Sequence, residues 1–132
     1  GDNMQIKSLQ DAFEVQKSSQ VERGFNFPMT GETRAAYIKT QTLHCIDELC
    51  EMLHEVKGYK AWKRYDYTDE ATNVTADVKA TEELVDAFHF FMNIALALGI
   101  SAEYLLAGYA AKQQINEERL MNTAEYKKDT EE

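Results

Sequence analysis

Apolar residues recur every three or four positions along most of the 132-residue chain. This spacing predicts amphipathic helices and no series of strands. The first predicted helix runs from Met4 to about Arg23, with Leu9 and Phe13 on one face and Gly24 as its stop. The loop FNFPMTGET follows, and Pro28 within it breaks the helical pattern. The pattern therefore indicates a short N-terminal helix joined by a loop to the rest of the chain.

Three more helices follow this loop. They are predicted from Thr30 or Thr33 to Lys57, from about Asp77 or Thr81 to Leu98, and from Ser101 to about Asn122. Gly58 and Gly99 are the C-terminal stops, and the polar stretch YDYTDEATNVTAD is predicted to be a connector. The sequence thus predicts one all-α domain over residues 1–132, a four-to-five-helix bundle, with about 1–3 and 123–132 flexible.

Acidic residues border the apolar faces of the second and third predicted helices. Glu48 and Glu51 share an arc beside one face, and Glu83 and Asp86 form a second pair at the same spacing. A hard cation such as Mg²⁺ takes about six oxygen ligands, which carboxylates and substrate phosphates can supply. Two such pairs on neighbouring antiparallel helices can converge on a bound ion. The pattern indicates a metal site, with a solvated acidic face as the alternative.

The apolar faces of the second and third helices are wide. They comprise Ile46, Leu49, Leu53 and Val56 in the second helix and Leu84, Val85, Phe88, Phe91 and Met92 in the third. With YLLAGYAA in the fourth helix, they offer more apolar surface than one 132-residue protomer covers. We therefore expect a homodimer or a dimer of dimers. The residues expected near the shared core are Phe91, Ile94, Leu98 and Leu105.

The fourth predicted helix carries a polar stripe. Tyr109, Lys112, Asn116 and Arg119 fall within an arc of about 80° on the helical wheel. Lysine and arginine side chains bind phosphate oxygens, and arginine does so with a planar fork. Beside a metal held by carboxylates, this stripe suggests that the ligand is a phosphate ester. The alternative is the ordinary polar surface of an exposed helix.

Composition excludes several classes of partner. The 14 Lys+Arg against 23 Asp+Glu give a net charge of -9, which argues against general binding to nucleic acid or to an anionic membrane. No apolar run approaches the roughly 18 residues of a membrane span, and the polar N-terminus lacks a signal peptide's apolar stretch. Cys45 and Cys50 lie five residues apart on one helix and point to different sides. We therefore expect a soluble cytoplasmic protein with reduced thiols.

Three segments together carry a family resemblance. The order DELCEMLHEVKGYKAW, EELVDAFHF and YAAKQQINEER resembles the all-α nucleoside triphosphate pyrophosphohydrolase superfamily, which includes the MazG-like proteins. The resemblance is strongest to its dimeric dUTPase branch and spans about Tyr37 to Arg119. Near the N-terminus, AFEVQKSSQ is similar to a family segment that contributes to base recognition, with Gln16 matching. The sequence departs from the family where Ser19 and Gln20 replace the usual Leu and Asn or Asp, and where Leu follows Arg119 with no Gly-Tyr after it.

The resemblance implies hydrolysis of a nucleoside triphosphate between its α and β phosphates. The expected reaction converts dUTP and water to dUMP and pyrophosphate. Glu48, Glu51, Glu83 and Asp86 would hold Mg²⁺, for which Mn²⁺ could substitute, and Glu48 or Glu51 would orient or deprotonate the attacking water. Two alternatives stay open: a housecleaning dNTP pyrophosphatase of other or broader specificity, and a helical binding module of the same fold without turnover.

The resemblance also implies a set of substrate contacts. They are Gln16, Lys60, Trp62, His89, Asn93, Tyr109, Lys112, Asn116 and Arg119. Lys60, Lys112 and Arg119 would bind phosphates, and Asn116 would fix sugar or phosphate. Gln16 and Asn93 would face the base edge. For His89 the alternative is a core histidine, and for Trp62 an anchor of the connector.

Overall fold

The computed structural model describes the backbone of residues 5–131 and the side chains of residues 5–123. It contains the helices α1 (Leu9–Glu22), α2 (Gly31–Glu55), α3 (Glu70–Leu98) and α4 (Ala102–Glu131), and no strand within the described range. The prediction of an all-α bundle is therefore confirmed. Residues 1–3 and the side chains beyond Thr123, which include most of the predicted flexible tail, lie outside the described part.

Helix α1 begins later than the apolar pattern predicts. Ser8 is its N-cap, and the Ser8 Oγ accepts a hydrogen bond from the Asp11 backbone N–H at 3.1 Å. The predicted start at Met4 is wrong because this cap fixes the first turn at Leu9. At the other end, Gly24 adopts a left-handed φ of 97°, so the predicted glycine stop is confirmed.

Helix α3 is longer at its start than predicted. Asp69 is the N-cap, and its carboxylate accepts from the Thr72 backbone N–H at 3.4 Å. From the end of α2, the Lys57 Nζ donates to Thr72 Oγ1 at 2.7 Å and to Asn73 Oδ1 at 2.8 Å. These polar contacts stabilise a turn that has no apolar periodicity. The predicted start at Asp77 or Thr81 is therefore wrong, whereas the end at Leu98 before Gly99 is confirmed.

Helices α2 and α3 pack along each other in antiparallel register. Cys45 Sγ lies 3.4 Å from the carbonyl of Ala87, and Lys57 bonds to Thr72 at the other end of the pair. Residues further along α2 thus face residues earlier in α3. This register brings the acid pairs of the two helices to the same level.

Helix α1 covers only one end of this pair. Its Phe13 packs with Met92, Ala95 and Ala102, and a second small cluster joins Met29, Tyr37 and Ala97. The side of α2 and α3 that carries Leu49, Phe88 and Phe91 is left exposed.

Most of the apolar face predicted as core is solvent-exposed in the protomer. The exposed side chains are Ile46, Leu49, Leu53, Val56, Leu84, Val85, Phe88 and Phe91. Of the apolar residues predicted on these two faces, Met92 is buried. The exposed remainder agrees with the expectation that the faces exceed what one protomer covers.

Helix α4 leaves the bundle. It is bent by 100° relative to α3, and its Ala102 and Leu105 contact the Phe13 cluster. Ser101 caps it by accepting from the Tyr104 N–H at 3.0 Å, as predicted. The helix continues to Glu131 instead of ending near Asn122. Across the described residues, no single helix has both the length and the apolar composition of a membrane span.

The turn after α2 generates the first prediction. Gly58 has a left-handed φ of 95°, and a Cβ at this position would overlap the hydroxyl of Tyr67. We expect Gly58→Ala to lower the free energy of unfolding by more than the roughly 1–2 kcal/mol that the left-handed backbone alone costs. Urea denaturation followed by circular dichroism measures this loss.

The matched control is Gly24→Ala. Gly24 has a similar φ of 97°, but no atom lies within 4 Å of its Cβ position. This variant should lose only the backbone contribution. Equal losses at the two glycines would show that Tyr67 is displaced without cost.

Candidate active site

Three carboxylates converge where α2 and α3 face each other. Glu48 on α2 and Glu83 and Asp86 on α3 each offer an oxygen, and these oxygens all lie within 4.8 Å of one another. Glu51, one turn further along α2, is exposed and lies beside Glu48 and Glu83. The antiparallel register thus brings all four predicted metal-binding acids to one place.

The electrostatics of this cluster are unfavourable without a counter-charge. The pKa of Glu48 is raised from 4.5 to about 7 by the adjoining Glu83 carboxyl, by burial, and by the nearby Glu51 and Asp86 carboxylates. The neighbouring Glu48 carboxyl lowers the pKa of Glu83. Glu51, burial and the surrounding negative charges outweigh that effect, so the pKa of Glu83 is raised overall.

The donor set fits a hard divalent cation. The Oε2 atom of Glu48 is buried and has no hydrogen-bond partner among the described residues. A buried carboxylate oxygen without a donor is costly, and a cation removes that cost. All the candidate ligands are oxygens, which are the ligands that Mg²⁺ and Mn²⁺ take. Glu48, Glu83 and Asp86, with Glu51 beside them, could therefore hold Mg²⁺.

A pocket of about 390 Å³ adjoins the acid cluster. Its lining residues are Gln16, Ser19, Gln20, Arg23, Glu48, Asp86, His89, Phe90 and Asn93. Three predicted substrate contacts, Gln16, His89 and Asn93, therefore lie together beside two of the acids. The pocket lining therefore combines carboxylate and amide side chains.

A chain of amide hydrogen bonds orders one wall of this pocket. Gln16 Nε2 donates to Asn93 Oδ1 at 2.7 Å, and Asn93 Nδ2 donates to Gln41 Oε1 at 2.8 Å. Asn93 is only 2% exposed. Since both ends of the Asn93 amide are already bonded to protein, this residue holds Gln16 in place.

A second amide was not predicted as a site residue. Gln20 is buried on α1, and its Oε1 accepts a hydrogen bond from the Tyr37 hydroxyl at 2.7 Å. The rings of Phe25 and Phe27 pack edge-on against Tyr37. The signal was available, because Gln20 continues the helical face of Phe13 with a polar residue where an apolar one is expected. Arg23 and Ser19 also line the pocket without having been predicted as contacts.

His89 and Phe90 occupy the α3 side of the pocket. His89 Nδ1 lies 3.8 Å from Asp86 Oδ1, and both side chains are about half exposed. The ring of Phe90 stacks on His44, with 5.0 Å between centroids. The alternative of His89 as a core histidine is therefore wrong, because its ring faces the acid cluster and solvent.

The other predicted substrate contacts lie away from the acids in a single protomer. Lys60 lines a separate polar cavity with Tyr59 and Tyr65 near the end of α2. Trp62 is 84% exposed on the connector. In α4, Tyr109 and Lys112 border an apolar groove, while Asn116 and Arg119 are exposed further along the helix. Within one chain, the cationic stripe therefore does not reach the carboxylate cluster.

Comparison with known proteins assigns the chain to the class of nucleotide pyrophosphohydrolases. A family model described as dUTPase matches residues 8–103, more than half of the chain. The chain belongs to this family of all-α dUTPases. The resemblance predicted from the sequence is thus confirmed. The matched region ends before the stripe of α4.

The chain is also similar to one curated protein of known name. The chain is similar to a protein named dCTP pyrophosphatase from Enterobacteria phage LZ5, with 28% identity over 137 aligned residues. The alignment covers 84% of this chain and 79% of that protein. No solved structure matches the chain at a significant level.

The raised pKa of Glu48 predicts how the stability of the metal-free protein depends on pH. The carboxyl binds its proton more tightly in the folded state, with a pKa of about 7 against 4.5. This stabilising contribution is fully present below the pKa that Glu48 has in the unfolded protein. It is lost as the pH rises through the pKa of Glu48 in the folded protein. We therefore expect the melting temperature of chelator-treated protein to fall as the pH rises from about 5 to about 8.

Glu48→Gln is the matched variant for this measurement. It keeps the shape of the side chain and removes its titration, so the melting temperature should depend less on pH across the same range. If the melting temperature of this variant fell with pH as steeply as that of the wild type, the titrating group would be a residue other than Glu48.

Proposed function

We propose that the protein is a Mg²⁺-dependent pyrophosphohydrolase of pyrimidine deoxynucleoside triphosphates, with dUTP as the first candidate substrate. The products are then dUMP and pyrophosphate. The observation that carries the proposal is the buried, unpartnered oxygen of Glu48 within the carboxylate cluster, at one end of an amide-lined pocket. Membership of the dUTPase family supports dUTP.

Different residues of the pocket have different roles in the proposed reaction. Glu48, Glu51, Glu83 and Asp86 would hold the cation. Bound there, Mg²⁺ would neutralise charge on the phosphates and activate the attacking water. The carboxylate of Glu48 or Glu51 orients or deprotonates that water for attack on the α-phosphate. Gln16 also lines the pocket and would contact the base.

dCTP is the second candidate substrate. The relative that is 28% identical bears the name dCTP pyrophosphatase. This chain also differs from the dUTPase pattern in the segment implied in base recognition, at Ser19 and Gln20. Both of these residues line the pocket.

A panel of dNTPs tests the proposal. With Mg²⁺ present, we expect dUTP or dCTP to yield equal amounts of monophosphate and pyrophosphate. Glu51→Gln and Asp86→Asn should abolish this turnover, by about 10³-fold or more, because removal of one carboxylate weakens the metal site. Anion-exchange chromatography of the products measures the rate.

The control is Asp47→Asn, which removes an exposed carboxylate from the same helix outside the cluster. It should keep wild-type turnover. Mg²⁺ should also raise the melting temperature of the wild type more than that of Asp86→Asn. Near-wild-type rates in Glu51→Gln or Asp86→Asn would refute the metal assignment.

We also propose that the active form is a homodimer. An apolar groove of about 460 Å³, lined by Leu49, Phe88 and Phe91 among others, is open on the α2–α3 surface. Phe91 is 42% exposed, a large apolar area for a soluble protomer. A second chain that covers this face offers a route for Lys112 and Arg119 of α4 to reach the acidic site of its partner, which carries the opposite charge.

The dimer gives a prediction about association. Phe91→Glu places a charge on the exposed apolar face without opening a cavity, because Phe91 is not buried in the protomer. We expect the wild type to have the mass of a dimer at micromolar concentration and the variant to have that of a monomer. Light scattering after size exclusion measures the mass.

Lys79→Glu is the control, since it changes the charge of an exposed polar position on the same helix. It should leave the dimer intact. A wild-type protein of monomer mass would refute the proposed assembly.

A further inference from the structure

Phe90 is the one apolar side chain among the described residues that line the pocket beside the acids. All the other lining residues are polar or charged. Phe90 comes one helical turn after Asp86 on α3, and both residues line the pocket. Phe90 therefore provides the surface that suits a flat apolar part of a ligand, such as the face of a nucleobase.

The apolar core of the protomer does not hold the Phe90 ring. Within the described residues, Phe90 packs against neither of the two buried clusters, the one around Phe13 and the one around Tyr37. Its aromatic partner is His44 on α2, with 5.0 Å between the ring centroids and 26° between the ring planes. In this near-parallel arrangement, the imidazole supports one side of the phenyl ring.

The antiparallel register of α2 and α3 places this ring pair between the amide chain and the acids. Along α2, Gln41 comes one turn before His44, and Glu48 comes one turn after it. Gln41 accepts a hydrogen bond from Asn93 of α3, and Glu48 joins the acids of α3. The three positions of α2 thus meet α3 along one helix face, which holds His44 at the level of the pocket.

His44 itself lies outside the pocket lining. It is exposed on α2, and it does not belong to the group of described acids whose oxygens converge. Its contact with the pocket is through the ring of Phe90. An effect of His44 on a bound ligand therefore has to act through Phe90.

We propose that His44 is a positioning residue for nucleotide binding, because its imidazole supports the Phe90 ring and so fixes the aromatic face that the ligand meets. The proposal rests on the proposed function, in which a deoxynucleotide occupies this pocket. Without His44, the Phe90 side chain gains rotational freedom that binding has to remove, and this ordering weakens binding. Stacking tolerates every base, so the loss should be the same for different bases.

The test measures binding of dUMP and dCMP by isothermal titration calorimetry with Mg²⁺ present. We expect His44→Ala to raise both dissociation constants by roughly two- to tenfold, the effect of one aromatic pair, and to leave their ratio unchanged. In hydrolysis of dUTP, KM should rise in the same way, with kcat within about twofold of the wild type, because none of the acids is altered.

Three further variants show whether the ring carries the effect. His44→Phe keeps an aromatic ring and should retain wild-type binding. His44→Gln keeps a polar side chain without a ring and should bind like His44→Ala. The matched control is His54→Ala, since His54 is an exposed histidine of the same helix whose ring pairs with Tyr59 outside the pocket. This control should leave both dissociation constants unchanged.

A double variant tests whether His44 acts through Phe90. Phe90→Leu should weaken binding by itself, and the addition of His44→Ala should weaken it no further, because the ring that His44 supports is gone. In NMR spectra of the ligand-free protein, the ring protons of His44 should lie further upfield in the wild type than in Phe90→Leu. Since His44 is exposed, its replacement opens no cavity, and melting temperatures check that each variant is folded.

The outcomes separate this proposal from the proposed function. Equal losses for the two nucleotides in His44→Ala, with recovery in His44→Phe, support the role of His44. Wild-type binding in His44→Ala, equal losses in His44→Ala and His44→Phe, or additive losses in the double variant overturn it. If the wild type binds neither nucleotide, the proposed function fails and this proposal fails with it. If the wild type binds both but hydrolyses no dNTP, only the proposed reaction is refuted.

Discussion

Repulsion between carboxylates is the constraint on which the rest of this structure depends. Glu48, Glu83 and Asp86 lie with their oxygens within 4.8 Å, and one oxygen of Glu48 is buried without a partner. Like charges at this distance disfavour each other's ionised form. The long antiparallel contact of α2 and α3 holds them together despite this cost. The helix pair therefore holds an unfavourable charge arrangement that a bound cation would relieve.

Much of this arrangement follows from helical periodicity. Acids three residues apart lie on one face of a helix, and the antiparallel register of α2 and α3 brings the two acid-bearing faces together. The end of α3 could also be predicted, because Gly99 adopts the left-handed conformation that stops a helix. The start of α3 could not, since Asp69 caps a polar turn whose stability comes from contacts with Lys57 across the connector. Such contacts leave no periodic pattern of apolar residues in the sequence.

The amide side chains that line the pocket show a second limit of prediction from the sequence. Gln20 lies on the helical face of Phe13, so its position on α1 was accessible from the sequence. Its partner Tyr37 was not, because that contact depends on the path of the loop between α1 and α2. Similarly, the spacing of Lys112 and Arg119 correctly places them on α4, but the direction in which α4 leaves α3 is a tertiary property. The local sequence pattern therefore determines which residues share a face of a helix. The tertiary structure determines which of these helix faces are in contact.

The pocket glutamines and the acids lie on different helices, and this has an evolutionary consequence. The two glutamines of the pocket belong to α1, whereas the acids belong to α2 and α3. α1 is short and is anchored on α3 and α4 through the small cluster around Phe13. Substitutions in α1 can therefore change which ligand the pocket accepts and leave the charge arrangement of the acids as it is. Selection can thus change the pocket lining within these 14 residues while the acid cluster stays under separate selection.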